Sequence, residues 1–303
     1  MPVQVEIGNV MDADLLPSAK DKRQSLVYDA LSYCNDFYGN VPSLAQIVVD
    51  DTNEHHSTFV PVISEDVFVP GIQVERPIHF SDLTRPLDQG TLDQRVEQPE
   101  TWRQTIGQIE TRYQRVLTHE LAHLYHLLGF NFCLPKWFDE GVAEYVSHEM
   151  PHRHSSDKAF EKERKAIFKG AQALLADPNF KGLESLHSYI DWVNFQDPDE
   201  QHQGRHYSLA YQFVYGMMTH EDGSTFDQKK QQLLELMRSF SSETRVLPFV
   251  EGAMRQNTKP ETAFISYQEH HLKNLTPERF AKTMQTYGFN DFYKTHQHWL
   301  RKP

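Results

Sequence analysis

The spacing of apolar residues changes along the chain. Residues 22–38 carry apolar positions at helical spacing and end at Gly39, which predicts a helix with a glycine C-cap. Short runs rich in β-branched and aromatic residues then predict three strands between 44 and 79. After a polar stretch at 81–101, helical periodicity returns and continues to the end of the chain. The predicted helices cover 102–128, 136–149, 157–176, 184–194, 206–220, 226–240, 244–256, 261–270, 277–284 and 290–299.

This order of elements predicts an α+β fold, with a small mixed sheet, a pair of helices at 102–128 and 136–149, and a mainly helical lobe after them. We expect residues 1–150 to form an N-terminal α+β lobe that contains the helix pair. Residues 151–303 would form a C-terminal helical lobe that closes a cleft. A cleft between two lobes is a common place for a binding site.

The amino-acid composition limits the kinds of partner that we expect the protein to bind. The 303 residues include 42 Asp and Glu against 30 Lys and Arg, a formal net charge of -12, which argues against binding to a phosphate backbone or an anionic membrane. No apolar run approaches the roughly 20 residues of a membrane span, and no basic start is followed by an apolar stretch. The two cysteines, Cys34 and Cys133, cannot form a disulfide framework. We therefore expect a cytoplasmic protein with neither nucleic acid nor membrane as a partner.

Two histidines stand four residues apart in the stretch THELAHLYH. On a helix, His119 and His123 leave the same face and can share one tetrahedral metal ion. Glu120 is rotated by about 100° from His119, so it can reach a water at the metal without binding the metal itself. The surrounding positions are apolar, which predicts a dry setting. This HExxH pattern predicts a zinc site.

Two residues are candidates for the third zinc ligand. His126 follows His123 by three positions, but one straight helix cannot wrap three successive side chains around a tetrahedral ion, so it is the weaker alternative. Glu140 lies in the stretch LPKWFDEGVAEY, where it shares a helix face with Glu144. An acidic amphipathic helix with no metal would not need Trp and Gly at fixed places beside these two glutamates. Glu140 is the better candidate for the third ligand, with His126 as the alternative.

Taken together, HELAH and PKWFDEGVAEY resemble the gluzincin metallopeptidases, most closely the peptidase MA-like group. The resemblance implies a thermolysin-like arrangement around a Zn²⁺ cofactor held by His119, His123 and Glu140. It also implies that Glu144 holds His119 in the right tautomer. Glu120 would be the general base in the hydrolysis of a peptide bond.

The same family lays its substrate along an edge strand and uses a tyrosine above the metal. The stretch VFVPGIQVERPI matches the edge strand, and the stretch GRHYSLAYQF matches the helix that begins with the tyrosine. Tyr207 would then donate to the oxyanion, with Tyr211 and His206 as alternatives. The substrate would dock along Gly71, Ile72, Gln73 and Val74.

The sequence thus predicts a zinc metallopeptidase that acts on peptide or protein substrates. The Gly-x-Met-Glu-Asn segment that grips the substrate amine in zinc aminopeptidases is missing between 44 and 79, which favours an endopeptidase and leaves an aminopeptidase open. The second hypothesis is a catalytically silent, peptidase-like binding or scaffold protein with a structural zinc. The acidic run at 197–201 predicts a loop at the mouth of the cleft that favours basic substrate residues.

Overall fold

A computed structural model describes residues 4–7, 17–39, 46–50, 58–64, 67–73, 99–130, 134–153, 158–197, 204–241 and most of 249–300. The chain divides into two compact units, Met1–Leu124 and Tyr125–Pro303. This boundary falls inside a helix and earlier than the boundary predicted after residue 150. No helix within the described ranges is both long enough and apolar enough to cross a bilayer.

The backbone of the first unit contains four short strands. Their order in the sheet is β1, β2, β4, β3; β1 with β2 and β2 with β4 run parallel, and β3 with β4 runs antiparallel. The strands are β1 (Gln4–Ile7), β2 (Gln46–Asp50), β3 (Thr58–Ser64) and β4 (Val67–Gln73).

The position of β4 corrects the predicted substrate edge. Gly71 pairs with Val48 of β2 on one side and with Val60 of β3 on the other. Ile72 and Gln73 are likewise paired on both sides. The prediction of an edge at these residues is wrong, because a strand with two neighbours has no free backbone groups for a peptide to pair with. Val74, the last residue of the predicted edge, lies outside the described residues.

Two helices meet in the first unit, α1 (Pro17–Tyr38) and the first part of α2 (Pro99–Phe130). Gly39 ends α1 with a φ of +79°, and its amide donates to the carbonyl oxygen of Asn35 at 2.8 Å. The predicted glycine C-cap is confirmed, since few other residues adopt this left-handed backbone without strain. The buried thiol of Cys34 donates to the carbonyl oxygen of Thr118 at 3.6 Å and so joins α1 to α2.

The second unit is built from helices. Short 3₁₀ turns at Met150–His152 and Leu183–Leu186 join some of them. The prediction of one helix over 184–194 is wrong, because the side chain of Ser188 caps a new helix by accepting from the amide of Asp191 at 3.0 Å. The predicted helix 244–256 lies mostly outside the described residues. The helices are α3 (Lys136–Glu149), α4 (Lys158–Ala176), α5 (Tyr189–Val193), α6 (Arg205–Thr219), α7 (Phe226–Ser239), α8 (Pro260–Leu272), α9 (Pro277–Thr286) and α10 (Asn290–Leu300).

Helix α6 is central to the second unit and packs against both α3 and α4. Its apolar residues are buried, and the ring of Phe213 meets the edge of Trp137 from α3 at a centroid distance of 5.3 Å. Gly141 lets α3 approach the backbone of α6 closely, because a Cβ at that position would lie 2.6 Å from the carbonyl oxygen of Ala210. The two helices are therefore held at a backbone-to-backbone contact.

The predicted α+β class is wrong, and the protein is helical. Of the residues whose side chains the structure describes, 81% are helical and none lies in a strand. The strands of the first unit are only four to seven residues long. The long amphipathic segments after residue 99 bury most of the described core instead, so helix packing defines the class.

Candidate metal centre

His119 and His123 converge on one face of α2. Their Nε2 atoms lie 3.0 Å apart, and their rings meet edge to face at a centroid distance of 4.7 Å. Two imidazoles on a tetrahedral zinc, each at about 2.0 to 2.1 Å, would place their nitrogens a little over 3 Å apart. His123 is buried and His119 is partly exposed. The pair is arranged as two ligands of a common ion would be.

The carboxylate of Glu140 on α3 completes a group of three donors. One atom each of His119, His123 and Glu140 lies within 4.8 Å of the others. Glu140 is buried, with 5% of its surface exposed. Two imidazole nitrogens and one carboxylate oxygen are a donor set that zinc accepts while keeping a further position for water or substrate. The residues present therefore fit a zinc ion.

Glu120 lies between the two histidines along α2, and it is buried with 8% of its surface exposed. Its burial keeps this carboxylate largely away from bulk water, and its role as general base stays a prediction. Its neighbours Leu117, Leu121 and Ala122 are fully buried. The apolar surroundings expected from the sequence are confirmed at these positions.

A second group of possible ligands comprises His123, His126 and Asp139, all buried. It shares His123 with the first group, so both cannot be filled independently. His126 Nδ1 donates to Asp139 Oδ1 at 2.5 Å, and the ammonium of Lys136 lies 3.1 Å from Asp139 Oδ2. Because the carboxylate already binds an imidazole and a cation, hydrogen bonding explains this group better than a metal ion does.

Lys136 brings a buried cation to the proposed ligand Glu140. Its Nζ atom lies 2.5 Å from Glu140 Oε1, and the two side chains are 8% and 6% exposed. Burial by itself lowers the pKa of Lys136, but the carboxylates of Glu140 and Asp139 outweigh it and raise that pKa above its usual range. The ammonium is therefore charged at every physiological pH.

The sequence interpretation missed Lys136 and Asp139. Lys136 precedes Asp139 by three residues and Glu140 by four, and this spacing was the available signal, because side chains three and four apart meet on a helix. A lysine at a helix start is more often a solvated residue. Only the packing of α3 shows that this one is buried.

Tyr207 lies in the first turn of α6 and within electrostatic reach of Glu140. Burial and the negative charge of Glu140 raise the pKa of Tyr207 above its usual range, so its hydroxyl stays protonated. Its ring meets that of Trp192 at a centroid distance of 4.8 Å. The tyrosine is thus a hydrogen-bond donor held near the carboxylate of the proposed ligand.

The two alternatives to Tyr207 differ from it in hydrogen bonding or in charge. The hydroxyl of Tyr211 donates to the carboxylate of Glu149, and its ring stacks on His148. The ring of His206 lies 4.5 Å from that of Trp192, and burial lowers its pKa to about 4 despite the nearby charge of Glu140. His206 is therefore neutral at physiological pH, and Tyr211 is occupied elsewhere.

An ion pair fixes the start of α6. The guanidinium of Arg205 donates to both carboxylate oxygens of Asp197, with Nε at 3.0 and 2.9 Å. The side chain of Asp197 is only 3% exposed. The prediction that the acidic run attracts basic substrates is wrong for this residue, because its charge is buried and neutralised. The other residues of the run, 198–201, lie outside the described residues.

Glu144 holds a histidine on its own helix. Its Oε2 atom lies 3.0 Å from His148 Nε2, one helical turn further along α3. The side chain of Glu144 is 19% exposed and that of His148 is 4% exposed. The expected contact between Glu144 and His119 stays a prediction.

Comparisons of the chain with protein-family models, with curated proteins and with solved structures find no match. The residues of the site and their geometry therefore carry the functional argument.

Proposed function

We propose that the protein is a zinc-dependent metallopeptidase of the gluzincin type. The observation that carries the proposal is the convergence of His119, His123 and Glu140 within 4.8 Å of one another, because the same three residues complete the HExxH pattern and its downstream glutamate. The proposed substrates are peptides or proteins, cut internally. A bound zinc ion would supply a Lewis acid that activates water and polarises the peptide carbonyl.

Glu120 and Tyr207 have distinct roles in the proposed reaction. The carboxylate of Glu120 takes a proton from the attacking water and passes it to the leaving nitrogen. Tyr207, whose raised pKa keeps its hydroxyl protonated, donates a hydrogen bond to the carbonyl oxygen as negative charge develops there.

The proposal is tested with a mixed peptide library, in which mass spectrometry detects new termini. The samples are the zinc-loaded wild type, Glu120→Gln, and Glu235→Gln as a control on the exposed face of α7. We expect Glu120→Gln to keep zinc and lose about 100- to 10,000-fold in turnover, while Glu235→Gln cuts like the wild type. Equal cutting by Glu120→Gln would exclude Glu120 as the base.

A binding or scaffold protein with a structural zinc is the second candidate. The same buried ligands would serve it, since a structural zinc also needs fixed donors. The library separates the two proposals. No new termini from a protein with stoichiometric zinc would favour the scaffold, and the positions of any cuts distinguish internal cleavage from trimming of the amino terminus.

A further inference from the structure

A lysine ammonium lies at the carboxylate that the proposed zinc would use. Lys136 Nζ is 2.5 Å from Glu140 Oε1 and 3.1 Å from Asp139 Oδ2, and all three side chains are less than a tenth exposed. The ring of Tyr189 covers the ammonium at 5.8 Å from its centroid. The cation is thus held between two carboxylates and away from solvent.

This arrangement stabilises the protein without metal. A buried carboxylate is costly unless a cation or hydrogen-bond donors compensate it. Lys136 compensates Glu140 from the adjacent helical turn, so the ligand helix can keep its structure before any metal arrives.

The ammonium of Lys136 would also repel a zinc ion bound at Glu140. A zinc ion on Glu140 would bring two further positive charges close to Lys136, in an interior where charges interact more strongly than in water. The lysine has a second partner in Asp139, which His126 Nδ1 in turn holds at 2.5 Å. Lys136 can therefore stay with Asp139 while Glu140 turns to the metal.

We propose that Lys136 is a built-in competitor of zinc, an internal cation that stabilises the metal-free site and weakens zinc binding. This inference rests on the proposed zinc site. Zinc displaces the ammonium from Glu140 when it binds, and the protein loads only where zinc is available above a threshold that Lys136 raises. Lys136 is a positioning residue, since it acts on the metal through Glu140.

The test measures the zinc dissociation constant by competition with a chromophoric chelator. Lys136→Met removes the charge and keeps the apolar stem, and Lys136→Gln keeps a neutral donor in case the first variant folds poorly. Lys229→Met is the matched control, because Lys229 is also buried and paired, but with Asp222. His123→Ala measures the zinc that other histidines of this chain bind.

We expect both Lys136 variants to bind zinc about tenfold more tightly than the wild type, or more, because each removes a positive charge that repels the ion. Lys229→Met should bind it as the wild type does. The metal-free Lys136 variants should also melt at lower temperature and gain more from saturating zinc. Unchanged or weaker affinity in both Lys136 variants would overturn the inference, because it would show that the lysine prepares Glu140 for the metal or does nothing to it.

The measurements distinguish a failure of the inference about Lys136 from a failure of the proposed peptidase function. Tighter zinc binding by the Lys136 variants, without peptide cleavage by the zinc-loaded wild type, would support the inference and refute the peptidase. Glu120-dependent cleavage by a protein whose zinc affinity does not change in the Lys136 variants would support the peptidase and refute the inference. Wild type that binds no more zinc than His123→Ala would refute both.

Discussion

Tyr207 and Tyr211, four residues apart on α6, form a matched pair for testing the proposed oxyanion donor. Tyr207 lies near Glu140, whereas the hydroxyl of Tyr211 donates to Glu149. We expect Tyr207→Phe to lower kcat by about 100- to 1,000-fold with zinc affinity unchanged, because it removes one donor to the developing charge.

Tyr211→Phe is the control. It should leave kcat nearly unchanged and lower the free energy of unfolding by about 1 to 3 kcal/mol, since it takes a hydrogen bond from a partly buried carboxylate. Steady-state kinetics and urea unfolding measure the two effects. A kcat that falls equally in both variants would remove Tyr207 from the mechanism.

The ion pair between Lys229 and Asp222 predicts that the free energy of unfolding depends on pH in the acidic range. Although partial burial raises it, hydrogen bonds from Lys229 and Ser224 lower the pKa of Asp222 to about 2 from 3.8. A lowered carboxyl pKa contributes stability that is present above pH 3.8 and is lost as the pH falls through about 2.

Lys229→Met should therefore destabilise the protein most at neutral pH, and its deficit in unfolding free energy should shrink as the pH falls below about 4. Urea unfolding of wild type and variant at a series of pH values measures this deficit. Lys294→Met, which removes an exposed lysine, should show no such trend. A deficit for Lys229→Met that stays constant would mean that Asp222 titrates normally.

At the scale of single residues, regular helix geometry made some of the site predictable. The four-residue spacing of His119 and His123 predicted that their imidazoles share a face, and their Nε2 atoms lie 3.0 Å apart. Lys136 was not predictable in the same way, because its burial depends on how α3 packs. The burial of Asp197 was not predictable either. It depends on an ion pair with Arg205, which lies eight residues further along the chain.

The close contact between α3 and α6 predicts that adding a methyl group at Gly141 destabilises the protein. A Cβ at Gly141 would lie 2.6 Å from the carbonyl oxygen of Ala210 and 2.9 Å from its carbon. Both atoms belong to backbone, so the helices must separate. We expect Gly141→Ala to lower the free energy of unfolding by about 1 to 3 kcal/mol.

Gly129→Ala is the control within a helix. Nothing lies within 4 Å of a Cβ at Gly129, so the substitution should stabilise the protein by about 0.5 to 1 kcal/mol through helix propensity. Denaturant unfolding of both variants gives the comparison. Equal effects of the two substitutions would show that Gly141 is not needed for the packing.

Single elements were more predictable than their neighbours in space. The predicted helix 136–149 matches α3, and 226–240 differs from α7 by one residue, because periodic apolar positions and caps such as Thr225 are local signals. Whether β4 is an edge or a central strand depends on pairing with β2 and β3. That pairing is non-local, and the run of residues 67–73 carries no signal for it.

For the molecule as a whole, the predicted fold class was wrong because the predicted strands were expected to form a sheet that packs as one layer of the core. The described core is instead made by helices, with Trp137 in contact with both Phe213 and Phe280 in the second unit. Sequence pattern gives the type of each segment, whereas the class depends on which segments bury the core. Residues far apart in sequence, such as these three aromatics, decide it.

Removal of metal should change the stability of the whole protein. If zinc binds only the folded chain, a free concentration 100 times its dissociation constant adds about 2.7 kcal/mol to the free energy of unfolding. We expect a chelator to lower the melting temperature and zinc to restore it, as measured by calorimetry. His123→Ala should melt at the same temperature with and without zinc, and a zinc effect that survives in this variant would place the ion elsewhere.

The backbone contact at Gly141 also bears on how the proposed peptidase would adapt to different substrates. Glu140 immediately precedes this glycine, and Tyr207 lies one helical turn before Ala210, so the contact helps to set the distance between these two proposed site residues. In the proposed peptidase, the ligand and the donor would therefore keep nearly the same spacing for every substrate. Selectivity among substrates of the proposed peptidase would then come from residues outside this helix pair, where sequence can change without disturbing the proposed chemistry.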